Sequence, residues 1–218
     1  MDYFTSDIHF GHKNVIRFCN RPFRTIEEMN FGIIEKWNSI VTDSDCVFVI
    51  GDVFLCDPEE AKRYIGMLNG HKILIKGNHD RSEKKMLWAG FDEFYKSLDY
   101  TMPDGRLALL EHYPSPDCTL DDKYDLMIHG HIHIDEKVVG KKINVSCDIW
   151  DYQPVSVETL SKLKIEKFKK EEFFESSLDE EGMLSINCKI RMEDFSGAGA
   201  QVYKMMNCKW PDRRKKWN

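Results

Sequence analysis

The chain has 218 residues, of which 42% are hydrophobic and 31% charged, and its net charge at pH 7 is −6. This length suits one α/β domain with a sizeable core and a small extension, and no apolar run approaches the length of a membrane span. Seven cysteines, an odd number without a C-x-x-C pair, argue against a disulfide framework. We therefore expect a cytoplasmic protein without a membrane segment.

Five short apolar runs, rich in β-branched or aromatic residues, are predicted to be buried strands. They lie at residues 3–6, 46–50, 73–76, 107–110 and 126–129. Each run is followed directly by residue types that bind metals. Because the carboxyl ends of parallel strands meet at one rim of a sheet, we expect these residues to converge there.

Helical patterns alternate with the strands up to about residue 90, which favours α/β layering. A capping-box pattern at Thr25 and Glu28 predicts a helix through residue 41. Residues 57–58, an Asp followed by Pro, predict the start of a second helix that runs to about residue 68. A third helix is predicted over residues 81–89, where a glycine follows.

The pattern changes towards the C-terminus. A helix is predicted from Val157 to about Lys170, and the charged stretch 167–181 is predicted to be a linker or the frayed end of that helix. Strand-like runs follow at 183–192 and 202–206, and residues 209–218 form a basic tip that contains two tryptophans.

These patterns divide the chain into a main domain, residues 1–160, and an extension, residues 161–218. We expect the extension to contain a helix and linker and then a small β-rich part that ends in the basic tip. The interleaved cations and tryptophans of 209–218 could bind nucleic acid through charge and stacking. The alternative is that they form a solubilising tail, since short charge runs are commonly just solvated.

Two of the motifs after the strands place ligand types two residues apart. Asp7 and His9 follow the first strand, and His131 and His133 follow the fifth. Residues two apart in an extended segment point the same way, so Asp7 and His9 can reach one ion. Asp52, preceded by a glycine, adds a carboxylate that could bridge two cations.

The remaining motifs complete a set for two cations. Asn78 offers an amide oxygen, its neighbour His79 should point away from it, and His112 adds an imidazole. In contrast, His71 has no such context and is predicted to lie on the surface, whereas His129 lies within a strand and suits a core or ligand-supporting role. Any single histidine could be structural, but five motifs in order indicate a dinuclear metal site and hydrolysis at phosphorus.

At these motifs the sequence resembles the calcineurin-like metallophosphoesterase superfamily. The family pattern D-x-H, G-D, G-N-H-D/E, H and G-H-x-H occurs here in that order between residues 7 and 133. The resemblance implies an α/β four-layer αββα sandwich with a dinuclear site at the rim of two central sheets. It also implies three ligands for one ion, three for the other and one bridging carboxylate. These are respectively Asp7, His9 and His133, then Asn78, His112 and His131, and finally Asp52.

The resemblance further implies hydrolysis of a phosphoric ester by a hydroxide that bridges the two metal ions. His79 would be the catalytic residue, as a general acid or as a stabiliser of the transition state. Manganese is the first choice of metal, with iron, zinc or nickel as alternatives, because mixed nitrogen and oxygen ligation does not distinguish them. Leu55 and Cys56 stand where phosphoprotein phosphatases of this superfamily have Asp and Arg, so we do not expect that activity.

The chain is more similar to the small prokaryotic and phage phosphodiesterases and phosphohydrolases of this superfamily. We expect a phosphodiester substrate derived from a nucleotide or nucleic acid. The alternatives are a monoesterase acting on a small phosphorylated metabolite, a nuclease, and a metal-bound scaffold without catalysis. Four polar residues after the first motif are candidates for binding phosphate or base, or else are structural. They are His12, Asn14, Arg17 and Arg21.

Overall fold

A computed structural model describes residues 1–115 and 120–165, together with the backbone of three later strands at 174–178, 183–188 and 210–211. The chain divides into two compact units, residues 1–167 and 168–218. Among the described residues, no helix combines the length and the apolar character that crossing a membrane requires.

The described part of the first unit consists of two five-stranded sheets and their helices. In chain order its elements are β1 (Asp2–Thr5), α1 (Lys13–Phe18), α2 (Ile26–Asn38), β2 (Cys46–Ile50), α3 (Pro58–Ile65), β3 (His71–Ile75), α4 (Glu83–Ala89), β4 (Glu93–Tyr95), β5 (Leu98–Thr101), β6 (Leu107–Leu110), β7 (Leu126–His129), β8 (Val138–Val139), β9 (Lys142–Asn144), β10 (Val155–Ser156) and α5 (Val157–Ser161).

The first sheet has the strand order β10-β1-β2-β3-β4, in which β1 to β4 are parallel and β10 is antiparallel. Its central strand β2 is apolar throughout because both of its faces are covered. Val47 and Val49 point into the core shared with the helices, which includes Trp37. Phe48 and Ile50 point the other way, into the core between the two sheets.

The second sheet has the order β5-β6-β7-β9-β8, with β6, β7 and β9 parallel. Aromatic rings join the two sheets: Phe4 stacks on Phe48 at 5.1 Å between centroids and meets Tyr100 edge-on, also at 5.1 Å. This mixed α/β architecture with two central sheets confirms the predicted fold class. In the described residues from 98 to 146, the chain forms strands, turns and loops but no α-helix.

The local signals in the sequence act as predicted at three helices. The hydroxyl of Thr25 accepts the amide of Glu28 at 3.1 Å, and Asp57 accepts the amide of Glu59 at 2.9 Å. Helix α4 ends at Gly90, whose φ of 116° would strain any residue with a Cβ. The two caps provide hydrogen-bond acceptors for backbone amides that have no partner within their helix, and Gly90 allows the chain to turn away at the end of α4.

The prediction for the last helix of this unit is wrong in length. Helix α5 ends at Ser161 instead of continuing to about Lys170. Arg106 donates to the carbonyl of Ser161 at 3.1 Å, and this carbonyl would accept the amide of Ile165 if the helix continued. The amides of Lys162 and Leu163 donate to the carbonyls three residues earlier, those of Thr159 and Leu160, so the chain leaves the α-helix in a tighter turn.

In the second unit, β11 (Phe174–Leu178) lies within the segment predicted as a linker, so that prediction is wrong there. It pairs antiparallel with β12 (Met183–Cys188), which confirms a strand in the predicted run 183–192. Strand β13 (Trp210–Pro211) pairs with the other edge of β12. The predicted run 202–206 and the basic residues after 211 lie outside the described residues.

We expect residues 1–167 to fold without the rest of the chain, because this unit contains both large sheets and both of their apolar cores. Its thermal midpoint should lie within about 4 °C of that of the full chain, since about 1 kcal/mol shifts such a midpoint by about 2–4 °C. Circular dichroism during heating measures this.

A truncation after Pro154 is the matched control, because it also removes the buried residues Val155, Val157 and Leu160. Burial of three such side chains is worth roughly 5 kcal/mol, so the midpoint should fall by more than about 10 °C. Similar midpoints for both truncations would contradict the unit boundary.

Candidate metal centre

All five motifs lie directly beyond the carboxyl ends of strands, as the sequence predicts. Asp7 and His9 follow β1, Asp52 follows β2, and the motif of Asn78 follows β3, all in the first sheet. The motif of His112 follows β6 in the second sheet. The last motif, with His131 and His133, follows β7 of the same sheet. Residues more than 100 positions apart therefore meet at the rim that the two sheets share.

The backbone at this rim is held in a conformation that residues other than glycine rarely adopt. Four of the motif residues have positive φ angles between 56° and 72°. Hydrogen bonds between motifs hold them: the amide of Asp7 donates to the Gly51 carbonyl, and that of His9 to the Asp52 carbonyl, both at 3.0 Å. Such strain persists only where the surroundings enforce it, and it is found preferentially at functional sites. The four residues are Asp7, His9, Asp52 and His131.

Two of the motif glycines are required by close approach. A Cβ on Gly51 would lie 2.6 Å from the backbone of Gly77 and from Nδ1 of His112. A Cβ on Gly130 would lie 2.7 Å from the carboxylate of Asp7. Without these glycines the five motifs could not come as close to each other as they do.

Two groups of ligand-type side chains result, and in each group the ligand atoms lie within 4.8 Å of one another. The first group is Asp7, His9 and His133, and the second is Asp52, His112 and His131. Asn78 adjoins the second group, because its Oδ1 lies 3.0 Å from Nε2 of His112.

The carboxylate of Asp52 belongs to the second group and also neighbours His9 of the first. Its Oδ2 is 3.9 Å from Nε2 of His9, 3.5 Å from Nε2 of His112 and 3.8 Å from Nε2 of His79. Distances of this length are too long for good hydrogen bonds. Two atoms that bind one ion at about 2.1 Å stand roughly 3.0 Å apart at a right angle and roughly 3.4 Å apart at a tetrahedral angle. The distance to His112 is close to that spacing, whereas the distances to His79 and His9 are about 0.4–0.5 Å longer.

Burial and charge also fit cations at this position. Asp7 is fully buried and Asp52 is 2% exposed, and a buried carboxylate requires a compensating positive charge. The neighbours of the Asp7 carboxylate include the hydroxyl of Ser6, at 2.6 Å, and the amide of His131, at 3.1 Å from both oxygens. These neutral donors leave a negative charge in the core, and a bound divalent ion would balance it.

The pKa values of the site follow from the same burial. Burial raises the pKa of Asp7, and burial together with the charge of Arg21 lowers the pKa of His9 to about 3. Burial also lowers the pKa of His131, whereas at His112 the carboxylates of Asp52 and Asp7 outweigh burial and raise the pKa. His9 is therefore neutral at physiological pH, with a lone pair free to bind a metal. Its Nδ1 is buried without a hydrogen-bond partner.

His79 lies at the open side of the site. Its side chain is 43% exposed, and its backbone amide donates to Oδ1 of Asp52 at 2.9 Å. Asn78 and His79 do point to different neighbours, since the Asn78 amide faces His112 and the ring of His79 faces that of His9 at 5.6 Å.

The four candidates for substrate contact are placed differently. The His12 ring lies 5.4 Å from that of His9, whereas Asn14 and Arg17 are exposed on α1. Arg21 has a fully buried side chain that donates to Asp148 and to the carbonyls of Asp7 and Ile8. This engagement supports the structural alternative for Arg21.

Two carboxylates of the site were not given roles by the sequence. Asp80, the last residue of its motif, accepts the amides of Asp52, Val53 and Gly77 at 2.7–3.0 Å and thereby joins two motif loops. Asp148 accepts from His133 at 2.7 Å. It lies in the 3₁₀ helix Cys147–Ile149, outside the motifs that the sequence singles out, and 15 residues from His133.

A third group of ligand types contains Cys19, His133 and Asp148. Here Nδ1 of His133 is only 2.7 Å from Oδ2 of Asp148, which is a hydrogen-bond length and shorter than the separation of two ligands on one ion. We therefore interpret this group as a hydrogen-bonded support of His133. The exposed His71, which contacts Glu93 at 2.9 Å, and the buried His129 in β7 lie outside all three groups.

Comparisons with known proteins agree with this geometry. The chain is 38% identical over 177 residues to the uncharacterized protein MJ1445 of Methanocaldococcus jannaschii, covering 77% of this chain and 92% of that one. It is 27% identical over 180 residues to the Gene 66 protein of Mycobacterium phage L5, covering 68% and 86% of the two chains. A crystal structure of a protein of unknown function, AQ665 from Aquifex aeolicus, superposes with a TM-score of 0.62 at 30% identity, covering 75% of this chain and 99% of that one.

Residues 3–135 match the family of calcineurin-like phosphoesterases, a span that contains every proposed ligand. Members of this family are metal-dependent hydrolases of phosphoric esters, and divalent ions are their cofactors. The matched span, the two sheets and the clustered ligand types agree, and the chain belongs to the calcineurin-like phosphoesterase family.

Proposed function

We propose that this protein is a phosphodiesterase that uses two divalent ions, preferably Mn²⁺, to hydrolyse a nucleotide-derived diester. The observation that carries the proposal is the position of the Asp52 carboxylate, which belongs to the second ligand group and lies 3.9 Å from His9 of the first. A carboxylate in this position can be shared by two ions. When bound, the two ions would lower the pKa of a water molecule and neutralise charge on the phosphoryl oxygens.

The proposed ligands keep the assignment that the motifs imply. One ion would be held by three residues, the second by three others, and Asp52 would bind both. The two sets are Asp7, His9 and His133, and Asn78, His112 and His131. Carboxylate and amide oxygens suit Mn²⁺, and imidazoles suit iron, zinc and nickel equally well, so availability decides among them.

His79 is the proposed general acid. Its imidazole is near Asp52 yet 43% exposed, so it can face both the reacting phosphorus and solvent. The hydrogen bond from its backbone amide to Asp52 fixes its position relative to the ligands. A proton donated from this ring would assist departure of an alkoxide or ribose oxygen.

Exposed aromatic rings beside the ligand groups support a nucleotide substrate. Tyr113 is 38% exposed, and its ring centroid lies 4.4 Å from that of His131. Phe18 is 66% exposed and lies 6.4 Å from the ring of His12, which in turn neighbours His9. A base that stacks on such a ring gains about 1–3 kcal/mol. These rings could therefore bind the base on either side of the phosphorus.

The charge at the site favours a diester over a monoester. A diester carries one negative charge and a monoester up to two, so the monoester requires more compensation. The guanidinium of Arg21 is already engaged with Asp148 and two carbonyls, and Leu55 and Cys56 replace the Asp and Arg of the phosphoprotein phosphatases. Apart from the ions, these positions therefore supply less positive charge to compensate the negative charge of a bound phosphate.

Removal of metal should abolish activity, and Mn²⁺ should restore it. We expect the chelated protein to hydrolyse bis-nitrophenyl phosphate only after addition of a divalent ion, and faster than it hydrolyses nitrophenyl phosphate. Cyclic dinucleotides, nucleotide diesters and oligonucleotides are then compared. No activity with any of Mn²⁺, Fe²⁺, Zn²⁺ or Ni²⁺ would refute the proposal. Faster hydrolysis of the monoester than of the diester would support the monoesterase alternative. A preference for oligonucleotides would support the nuclease alternative.

Replacement of the shared carboxylate should remove metal. Asp52→Asn removes one negative charge between the two ligand groups, and we expect loss of at least one ion per chain and of activity. Elemental analysis of the purified protein measures the ion content. The matched control is Asp43→Asn, an exposed position in the turn before β2, which should retain two ions. Two ions per chain in Asp52→Asn would show that this residue is not the bridge.

The role of His79 can be tested through the leaving group. His79→Asn should retain both ions and lose about 10²–10⁴ in rate on a nucleotide diester, because general-acid catalysis is worth that much. The loss on the nitrophenyl ester should be much smaller, since nitrophenolate departs without a proton. His71→Asn, at an exposed histidine, is the control. Equal losses on both esters would indicate stabilisation of the phosphoryl oxygens, and loss of metal would make His79 a ligand.

A further inference from the structure

A chain of hydrogen bonds connects the last motif to the first. Nδ1 of His133 lies 2.7 Å from Oδ2 of Asp148, and Arg21 donates to both oxygens of Asp148, at 2.7 Å from Nε and 3.2 Å from Nη2. The same guanidinium donates to the carbonyl of Asp7 at 2.6 Å and to that of Ile8 at 2.8 Å. All of these groups belong to one of the two ligand groups or directly support it.

The hydrogen bond to Asp148 determines which nitrogen of His133 can bind a metal. A carboxylate only accepts hydrogen bonds, so Nδ1 must carry the proton that it donates. In a neutral imidazole the lone pair is then on Nε2, the atom that faces the Asp7 carboxylate at 3.9 Å. Metal-binding histidines are commonly oriented by such a carboxylate.

Arg21 holds the opposite side of the same ligand group. Asp7 and His9 have φ angles of 56° and 57°, a conformation that costs free energy in residues with a Cβ. The two carbonyls bound by Arg21 belong to Asp7 and Ile8, within this strained segment. The side chain of Arg21 is fully buried, so its charge is compensated by Asp148, which is 11% exposed.

We propose that Arg21 and Asp148 are positioning residues that preorganise one metal position, the one formed by Asp7, His9 and His133, and leave the other unaffected. This inference rests on the proposed function, because it requires that both positions bind ions. The pair joins the segment after β1 to the short 3₁₀ helix Cys147–Ile149, which follows β9. The two ions should therefore differ in their dependence on this pair.

Asp148→Asn tests the proposal because the amide keeps the shape of the carboxylate. In either orientation its NH₂ group meets a donor, either Nε of Arg21 or Nδ1 of His133. We expect the full chain, freed of metal and titrated with Mn²⁺, to retain one ion with wild-type affinity. The second ion should bind about 10–100-fold more weakly, the usual effect of losing a ligand-supporting residue.

The matched control is Asp151→Asn, three residues further along. Asp151 is exposed and pairs with Lys36 at 2.7 Å. Its replacement by Asn changes the charge of the chain by the same amount as Asp148→Asn. Its two ions should bind as in the wild type. If Asp148→Asn also binds both ions as the wild type does, or loses both equally, the inference is wrong and the proposed function stands. A wild-type chain that binds no Mn²⁺ would overturn both.

A measurement on the wild-type chain covers the case in which Asp148→Asn does not fold. Nitrogen-15 spectra of histidine distinguish the two tautomers, and His133→Gln identifies the signals of His133. We expect the Nδ1–H form of His133 in the protein loaded with diamagnetic Zn²⁺. The Nε2–H form would show that Nδ1 binds the ion and that Asp148 does not position this ring.

Discussion

The negative charge of two carboxylates buried where the sheets meet governs the organisation of this molecule. Asp7 is fully buried and Asp52 is 2% exposed, and neither can remain ionised in such a place without compensation. Imidazoles, backbone amides and the strained loops surround these two carboxylates. The apolar cores on both faces of the first sheet bring these loops together. Bound ions would balance the negative charge of the two carboxylates, which these cores shield from water.

Rigidity at the rim comes from contacts between motifs instead of within them. Asp80 joins the loops after β2 and β3, the amide of His131 donates to Asp7, and Arg21 joins the loop after β1 to Asp148. Each contact crosses between segments that are distant in sequence. Strained residues can therefore persist, because releasing one would require breaking hydrogen bonds to another loop.

The open side of the site has a different character from its base. The base residues Asp7, Asp52 and His112 are buried, whereas His79, Tyr113 and Phe18 are exposed. Exposed loop residues can vary more freely than a buried base, so proteins of one fold can share a site framework and act on different substrates.

Much of this protein could be predicted from the sequence because its signals are local. The apolar runs before Asp7, Asp52 and His112 predict strands, and the spacing of ligand types after them predicts one rim. The caps at Thr25 and Asp57 predict the starts of two helices, since a cap depends on a residue and the amides just after it. The domain boundary at 160 and the roles of the site residues remain predictions.

Other features depend on partners that are remote in sequence. Helix α5 ends early, and the carbonyl of Ser161, which a longer helix would use, accepts a hydrogen bond from Arg106, 55 residues away. Arg21 follows the first motif and resembles a phosphate ligand in the sequence. It is buried with a hydrogen bond to Asp148, a residue 127 positions further along the chain. Sequence by itself determined the strands, the helix caps and the set of ligand types, because these depend on neighbouring residues. Only the tertiary structure decided which of these side chains lie together and which hydrogen bonds hold them, because burial and hydrogen-bond partners come from segments that meet only on folding.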